Sequence, residues 1–469
     1  MTVDLELCFR EAGALAALIR ARQLSPVELV ENSLARIAQV NPTLNCFCFV
    51  WEAEARAAAR AAEARLMRGG TLPPLLGLPI AFKDITPTKG QRTTLGSRAY
   101  EHNVPDADAI VVERLTAAGA IVVGKTTTPE FAFASFTQSP LWGTTRNPWN
   151  PARSPGGSSG GAGAAVASGC VPFAEGSDMG GSIRIPAALC GVVGLKPSFG
   201  RIPFEALPSQ LDTLNHFGPL ARSVADAALF LRHAAGPDER DLSSNPQLLD
   251  WSQPLRRDVA GLRLAVSDDL GFYAVDPGVR AAFRQGVEQL RAAGAEIEEV
   301  ALPWTRALVD RWNDLWKVFM AAYFGHLLPD WRDRLDPQMV RLIEGGFALE
   351  AVPVKRIEVI RSQLWASLRP VLARCDALLC PTNAVTAPDV TLTDDDVYGV
   401  GPDGRYRAVD MTSVFNLVSQ CPALSVPVGF ADGLPVGLQV VGRRFDDLTV
   451  LRIGAALEDA RGPYPRAPF

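Results

Sequence analysis

Two glycine- and serine-bearing loops, placed 24 residues apart, constrain this 469-residue chain more than any other feature. Residues 154–163 read SPGGSSGGAG, residues 164–169 continue as AAVASG, and residues 176–186 read GSDMGGSIRIP. The small residues between the loops suit a helix that packs at close quarters. Glycine loses more conformational freedom on folding than any other residue. A stable fold therefore keeps it where backbones approach closely or φ must be positive. A loop with free backbone N–H groups beside a serine hydroxyl is what acyl transfer requires: the serine attacks and the N–H groups hold the oxyanion. A single Gly-Gly-Ser reads as a packing turn. Two linked loops do not.

Such a serine needs a base. The four histidines (His102, His216, His233 and His326) are scattered and sit in no recognisable triad motif. Lysine can serve where burial disfavours its ammonium form. The chain has only six lysines among its 46 basic residues, and Lys83 stands at the end of the apolar run LPIAF (78–82). The plainer reading is a lysine that snorkels to the surface or pairs with Asp84. A further glycine signal is false. GAIVVGKT (119–126) matches the phosphate-loop pattern, but such a loop needs a strand before its first glycine and a helix after its lysine. Here AIVV is itself strand-like and Pro129 follows closely, which excludes nucleotide triphosphate binding.

The wider pattern alternates helices with strands. Ser25 can cap a helix with Pro26 in its first turn and Glu28 completing a capping box, and 51–68 is strongly helical. Strands are expected at 76–82, 120–123, 295–300, 377–380, 423–428 and 437–441, with helices over 107–118, 277–293 and 447–461. This predicts an α/β fold with a central sheet covered by helices on both faces. A length of 469 suggests about three domains at roughly 150 residues each. The absence of repeats and low-complexity segments favours one domain over 1–469. Within it, about 303–370 reads as a helical layer holding five of the nine tryptophans (Trp304, Trp312, Trp316, Trp331 and Trp365). Core packing explains them, and so does a wall over a substrate pocket.

Composition excludes other classes. Hydrophobic residues make up 48% and charged residues 21%, an ordinary globular balance. The net charge of −5 lacks the basic excess of non-specific nucleic-acid binding. The first 20 residues carry no secretory pattern and no run of about 18 apolar residues is present, so a cytoplasmic chain with no membrane contact is expected. The eight cysteines include no CxxC pair, which argues for buried thiols and against a zinc site.

The chain resembles the amidase signature family. The matching stretches are GLPIAFKD (77–84), AAGAIVVGKTTTPEFA (117–132), GTTRNPWNP (143–151), SPGGSSGGAGAAVASG (154–169), GSDMGGSIRIPAALCGVVGLKPSFGRIP (176–203), PALSVPVGF (422–430) and GLPVGLQVVG (433–442). The resemblance implies a mixed, twisted sheet and a Ser–cis-Ser–Lys triad. Ser182 would be the nucleophile, Ser158 the bridging serine after a cis bond from Gly157, and Lys83 the base. The N–H groups of Met179, Gly180, Gly181 and Ser182 would form the oxyanion hole, supported by Ser159, Ser177, Asp178 and Arg184. It implies hydrolysis of a carboxylic amide through an acyl-enzyme, with no metal or cofactor. The expected partner is a small-molecule amide, with a homodimer as the default assembly and no nucleic acid. Two alternatives stand beside this: the A subunit of a glutamine-dependent amidotransferase, against which 204–217 and 393–420 look atypical, and a non-catalytic binding homologue. Pocket walls are expected from 131–142, 202–217 and 304–365, whose aromatics suit aryl or acyl amides.

Overall fold

The apolar runs come together in one mixed sheet of eleven strands. The computed structural model describes residues 3–469. In chain order the strands are β1 (Phe47–Val50), β2 (Pro79–Lys83), β3 (Ile121–Thr126), β4 (Phe173–Ser177), β5 (Val193–Lys196) and β6 (Phe217–Ala221). They continue as β7 (Arg263–Val266), β8 (Glu296–Glu299), β9 (Ala377–Pro381), β10 (Ala423–Ala431) and β11 (Leu434–Gly442). Across the sheet the order is β1-β3-β2-β4-β6-β5-β10-β11-β9-β7-β8. Parallel pairing joins β3, β2 and β4 near one edge and β9, β7 and β8 at the other. The centre is antiparallel.

Helices cover both faces. Along β10, Leu424, Val426 and Val428 point to one face, where Gly454 of the Asp447–Arg461 helix and Gly286 of the Pro277–Ala292 helix pack on them. Ser425 points the other way, as strand alternation demands. On that side Gly437 of β11 meets Ala188 of the Arg184–Cys190 helix. The fold is the expected α/β sheet. Strands β1 and β4 to β7 fall outside the expected set. In β4 the reason is plain: Phe-Ala-Glu-Gly-Ser is buried throughout yet mixes a carboxylate with small residues, so it reads as part of the loop it feeds.

Two local readings need adjusting. Ser25 Oγ accepts from the N–H groups of Val27 and Glu28 and donates to Glu63, while among the described residues no bond runs from the Ser25 N–H to the Glu28 carboxylate, so the capping box is half formed. Residues 303–370 are helical, as Ala307–Phe324, Leu328–Trp331, Pro337–Phe347 and Ala351–Arg374. Their tryptophans divide between both readings: Trp304 is buried against Phe415, Trp331 lies under Arg334 and Trp365 under Arg444. Trp312 and Trp316 stack on one another and face a pocket. Among the described residues, no helix is long and apolar enough to cross a membrane.

The false phosphate loop has a structural cause. Its x positions and its lysine are β3, and Lys125 is buried with Nζ donating to the Thr86 carbonyl. Gly124 is glycine because the edge strand crosses it. A Cβ there would lie 2.1 Å from the Phe49 carbonyl oxygen, a backbone atom that cannot swing away. Gly124→Ala should therefore lift β1 from the sheet and lower stability by about 1–3 kcal/mol, the cost of overpacking, measured by urea denaturation.

Candidate active site

Lys83 closes β2, a strand buried at every position, and its side chain is buried with it. Its N–H donates to Glu175 Oε2 at 2.9 Å, which fixes the strand end. Its Nζ lies 2.6 Å from Ser158 Oγ and 3.0 Å from Ser177 Oγ. Asp84 turns elsewhere: it accepts from the Thr94 N–H at 2.9 Å, the Thr94 hydroxyl and the Trp142 indole. Burial without an adjacent carboxylate pushes Lys83 down to about 7, while Glu175 and Asp178 pull more weakly upward. The amine thus titrates near neutrality among hydroxyls.

The first glycine loop presents Ser158 to this amine. The Gly157–Ser158 peptide bond is cis. Thr137 Oγ1 holds the loop by donating to the Gly156 carbonyl at 2.8 Å and accepting from the Gly160 N–H at 3.1 Å. Ser159 joins the two loops. Its N–H donates to the Ser182 carbonyl at 3.1 Å, and its hydroxyl lies 3.3 Å from both the Ser177 N and the Ser177 carbonyl oxygen.

The second loop starts where β4 ends, at Ser177, and is organised by the fully buried Asp178 and Arg184. Asp178 accepts from the N–H groups of Gly181 and Ile183, from Arg184 Nε and Nη2, and from Asn416 Nδ2. Burial would raise this carboxylate, but Arg184 and these donors hold it well below the usual range. Gly181 therefore donates inward, to its supporting aspartate. The N–H groups of Met179, Gly180 and Ser182 make no protein hydrogen bond among the described residues. Ser182 itself is half-buried, and its hydroxyl is bonded to neither Ser158 nor any other described group.

Ser182 stands between two spaces. One is an open pocket of about 440 Å³, walled by Phe133, Met179, Trp312 and Trp316 and by Arg341, Asp394, Asp410 and Tyr398. The other is a cavity of about 60 Å³, lined by Ser158, Ser177, Phe204, Leu207, Phe319 and Phe324. Ser182, Met179, Trp316 and Ala132 border both. The expected wall segments 131–142, 202–217 and 304–365 all contribute. The sequence reading missed the stretch 394–413 as pocket wall. There Asp394 is half-buried, accepts from the Ser135 N–H at 3.2 Å, and is pushed up to about 7 by desolvation with help from Asp410 and Asp395. The acidic run Asp394-Asp395-Asp396 was the only local signal. Among the described residues, no group of three His, Cys, Asp or Glu is placed to hold a metal ion.

The eleven-stranded mixed sheet thus brings a buried lysine and two serine loops together, with Lys83 Nζ in contact with Ser158 and Ser177. The amidase family model matches residues 28–451, and the chain belongs to that family, whose enzymes act on C–N bonds. The A subunit of glutamyl-tRNA(Gln) amidotransferase from Chloroflexus aurantiacus is 39% identical over 477 residues, covering 97% of each chain. The protein of that name from Anaeromyxobacter sp. strain K is 40% identical over 495 residues, covering 99% of this chain and 98% of its own. Among solved structures, a bacterial aryl acylamidase is 30% identical with a TM-score of 0.91 over 96% of each chain. The A subunit of the Thermotoga maritima glutamyl-tRNA(Gln) amidotransferase is 31% identical with a TM-score of 0.79 over 100% of each.

These relatives correct the expectation of a lone enzyme meeting only a small amide, with a homodimer as its assembly and no nucleic acid. They are named as subunits, and of an enzyme whose name carries a tRNA. A net charge of −5 excludes a broad electrostatic footprint on nucleic acid. It is blind to whether a chain works as one part of an assembly.

The Asp178–Arg184 pair yields a test. Arg184→Met leaves a buried carboxylate without its cation and should cost about 3–5 kcal/mol of stability, read as a drop in the denaturation midpoint.

Proposed function

We propose that this chain is the amide-hydrolysing subunit of a glutamine-dependent amidotransferase. It converts glutamine and water to glutamate and ammonia, and companion subunits use the ammonia to amidate an aminoacyl-tRNA in the cytoplasm. The observation that carries this reading is 39–40% identity across nearly the full length of both chains to proteins named as that subunit. Residues 1–469 act as one domain in which the 303–370 layer supplies the pocket wall.

In the mechanism, neutral Lys83 takes the Ser182 proton by way of Ser158, and Ser182 Oγ bonds to the amide carbon. The resulting oxyanion rests on the N–H groups of Met179, Gly180 and Ser182. The relay returns the proton to the amide nitrogen, the C–N bond breaks and ammonia leaves. Water, deprotonated by the same relay, then hydrolyses the acyl ester and restores Ser182. The two spaces support a primary amide. The leaving nitrogen must meet Ser158, which borders the cavity of about 60 Å³, a space with room for ammonia. The acyl part occupies the larger pocket, where Asp410 offers negative charge and Arg341 and Lys317 positive charge to the amino and carboxylate groups of glutamine.

One observation favours a second substrate chemistry, an aryl amide: the TM-score of 0.91 to an aryl acylamidase, with Trp312 and Trp316 in the wall. Ammonia release from glutamine, measured beside aniline release from an acyl anilide, separates the two. Turnover of the anilide with none of glutamine would sink the amidotransferase reading. Ser182→Ala should abolish either activity with the fold intact; retained hydrolysis would remove Ser182 from the mechanism. Lys83 must be neutral to accept a proton, so kcat/KM should rise with pH through about 7. A profile flat from pH 6 to 9 would exclude it as the base.

A further inference from the structure

We infer that Trp312, from the helical layer, and Thr412, from the turn before β10, are positioning residues that aim the oxyanion loop. The inference rests on the reading of Ser182 as nucleophile. A peptide group is planar, with its C=O and N–H pointing in opposite directions. Whatever holds a carbonyl on the outside of a loop therefore aims the next residue's N–H inward. Trp312 Nε1 donates to the Met179 carbonyl at 3.0 Å, which fixes the peptide plane that carries the Gly180 N–H. Thr412 Oγ1 lies 2.6 Å from the Gly180 carbonyl oxygen, which fixes the plane that carries the Gly181 N–H. That N–H is the one Asp178 holds at 2.9 Å. The loop is thus gripped at consecutive peptides from outside and from beneath.

Sterics agree with the hydrogen bonds. A Cβ on Gly180 would lie 2.3 Å from Trp312 Cζ2, and one on Gly181 would lie 1.9 Å from Thr412 Oγ1. Gly181 also sits at φ +133°, where side chains are strained. The Gly-Gly pair is what lets these two side chains reach the backbone. Thr412 is itself placed: its carbonyl accepts from Arg184 Nη1 at 3.1 Å and its N–H donates to Asp410 Oδ2 at 3.0 Å. Asp410 Oδ2 also lies 2.7 Å from Thr412 Oγ1, so one hydroxyl proton stands between a pocket-wall carboxylate and the oxyanion loop.

Neither side chain moves a proton in the reaction, so the test must separate aiming from packing. Thr412→Val keeps the shape and removes the hydroxyl, whereas Thr412→Ser keeps the hydroxyl. In the full-length chain, Thr412→Val should lower kcat on glutamine by about 10- to 100-fold with KM within about twofold, while Thr412→Ser stays within about threefold of the unsubstituted chain. The rate at which a fluorophosphonate labels Ser182 should fall in parallel, because its phosphoryl oxygen needs the Gly180 N–H, whose residue Thr412 holds by the carbonyl. Trp312→Phe carries the same readouts if Thr412→Val fails to fold. Unchanged kcat and labelling in a folded Thr412→Val, or a Thr412→Ser variant as impaired as Thr412→Val, would overturn the inference. Failure of the fluorophosphonate to label the unsubstituted chain at Ser182 would instead overturn the nucleophile assignment, and this inference with it.

Discussion

The rest of the site depends on one buried ion pair. Arg184 offers five N–H donors in a rigid fork, and every one is used. Nε and one Nη2 hydrogen go to Asp178, the other Nη2 hydrogen to Asn416 Oδ1, and Nη1 to the Thr412 carbonyl and to Gln439 Oε1 of β11. The pair contributes little net stability of its own, since removing both charges from water is expensive. Its consequence is geometric. With no solvent to substitute for a lost partner, the loop from Asp178 to Arg184, the turn at 412–416 and the centre of the sheet have one mutual arrangement. The serine loop is built on that arrangement.

The same low-polarity interior sorts the lysines. Lys83, Lys125 and Lys196 are all buried, and burial depresses each, to about 7, 8 and 7. Their partners differ. Lys196 donates to the carbonyls of Cys421 at 2.8 Å and of Pro197 and Ser419 at 3.3 Å, and Lys125 donates to the Thr86 carbonyl. A carbonyl has no proton to give, so these contacts tie backbone together; Lys196 adds one longer contact of 3.5 Å to His216 Nε2. Lys83 alone of the three faces hydroxyls, Ser158 and Ser177, and hydroxyls can pass a proton on. A depressed amine is common in this interior; an amine in contact with a serine pair is what the proposed chemistry requires.

This contrast explains what the sequence could disclose. Lys83, the two serine loops and the Asp178–Arg184 spacing are legible because each lies in a short contiguous pattern. The sheet is legible where strands are runs of branched apolar residues, as in β3, β9, β10 and β11. It is not legible in β4, where Glu175 and Gly176 serve the site and disguise the strand. Trp312, Thr412 and Asn416 carry no local signature, and Gln439 lies in a matching stretch without its role being readable there. Their meaning arises from contacts across more than 130 residues of chain, as when the Trp312 indole meets the Met179 carbonyl. Gly180 and Gly181 read as oxyanion-forming in sequence, and only the packing against Trp312 and Thr412 shows what excludes any larger residue there.

The helical layer is tied to the site at both ends of its pocket-facing part. Trp312, on the Ala307–Phe324 helix, grips the Met179 carbonyl, and Trp316 donates to the Phe133 carbonyl at 3.1 Å. The following Pro337–Phe347 helix carries Gln338 and Arg341 into the open pocket, and its N-cap N–H, from Asp336, donates at 2.7 Å to Glu130, which is buried beside the pocket wall. Residues that face the acyl group and residues that aim the backbone at the reacting carbonyl thus stand on the same pair of helices. A change of side chain in this layer that reshapes the pocket also loads the Met179 and Gly180 peptides. In the proposed reaction this couples substrate preference to turnover through a rigid element, and the segment freest of motifs in the sequence holds the oxyanion loop at the Met179 carbonyl.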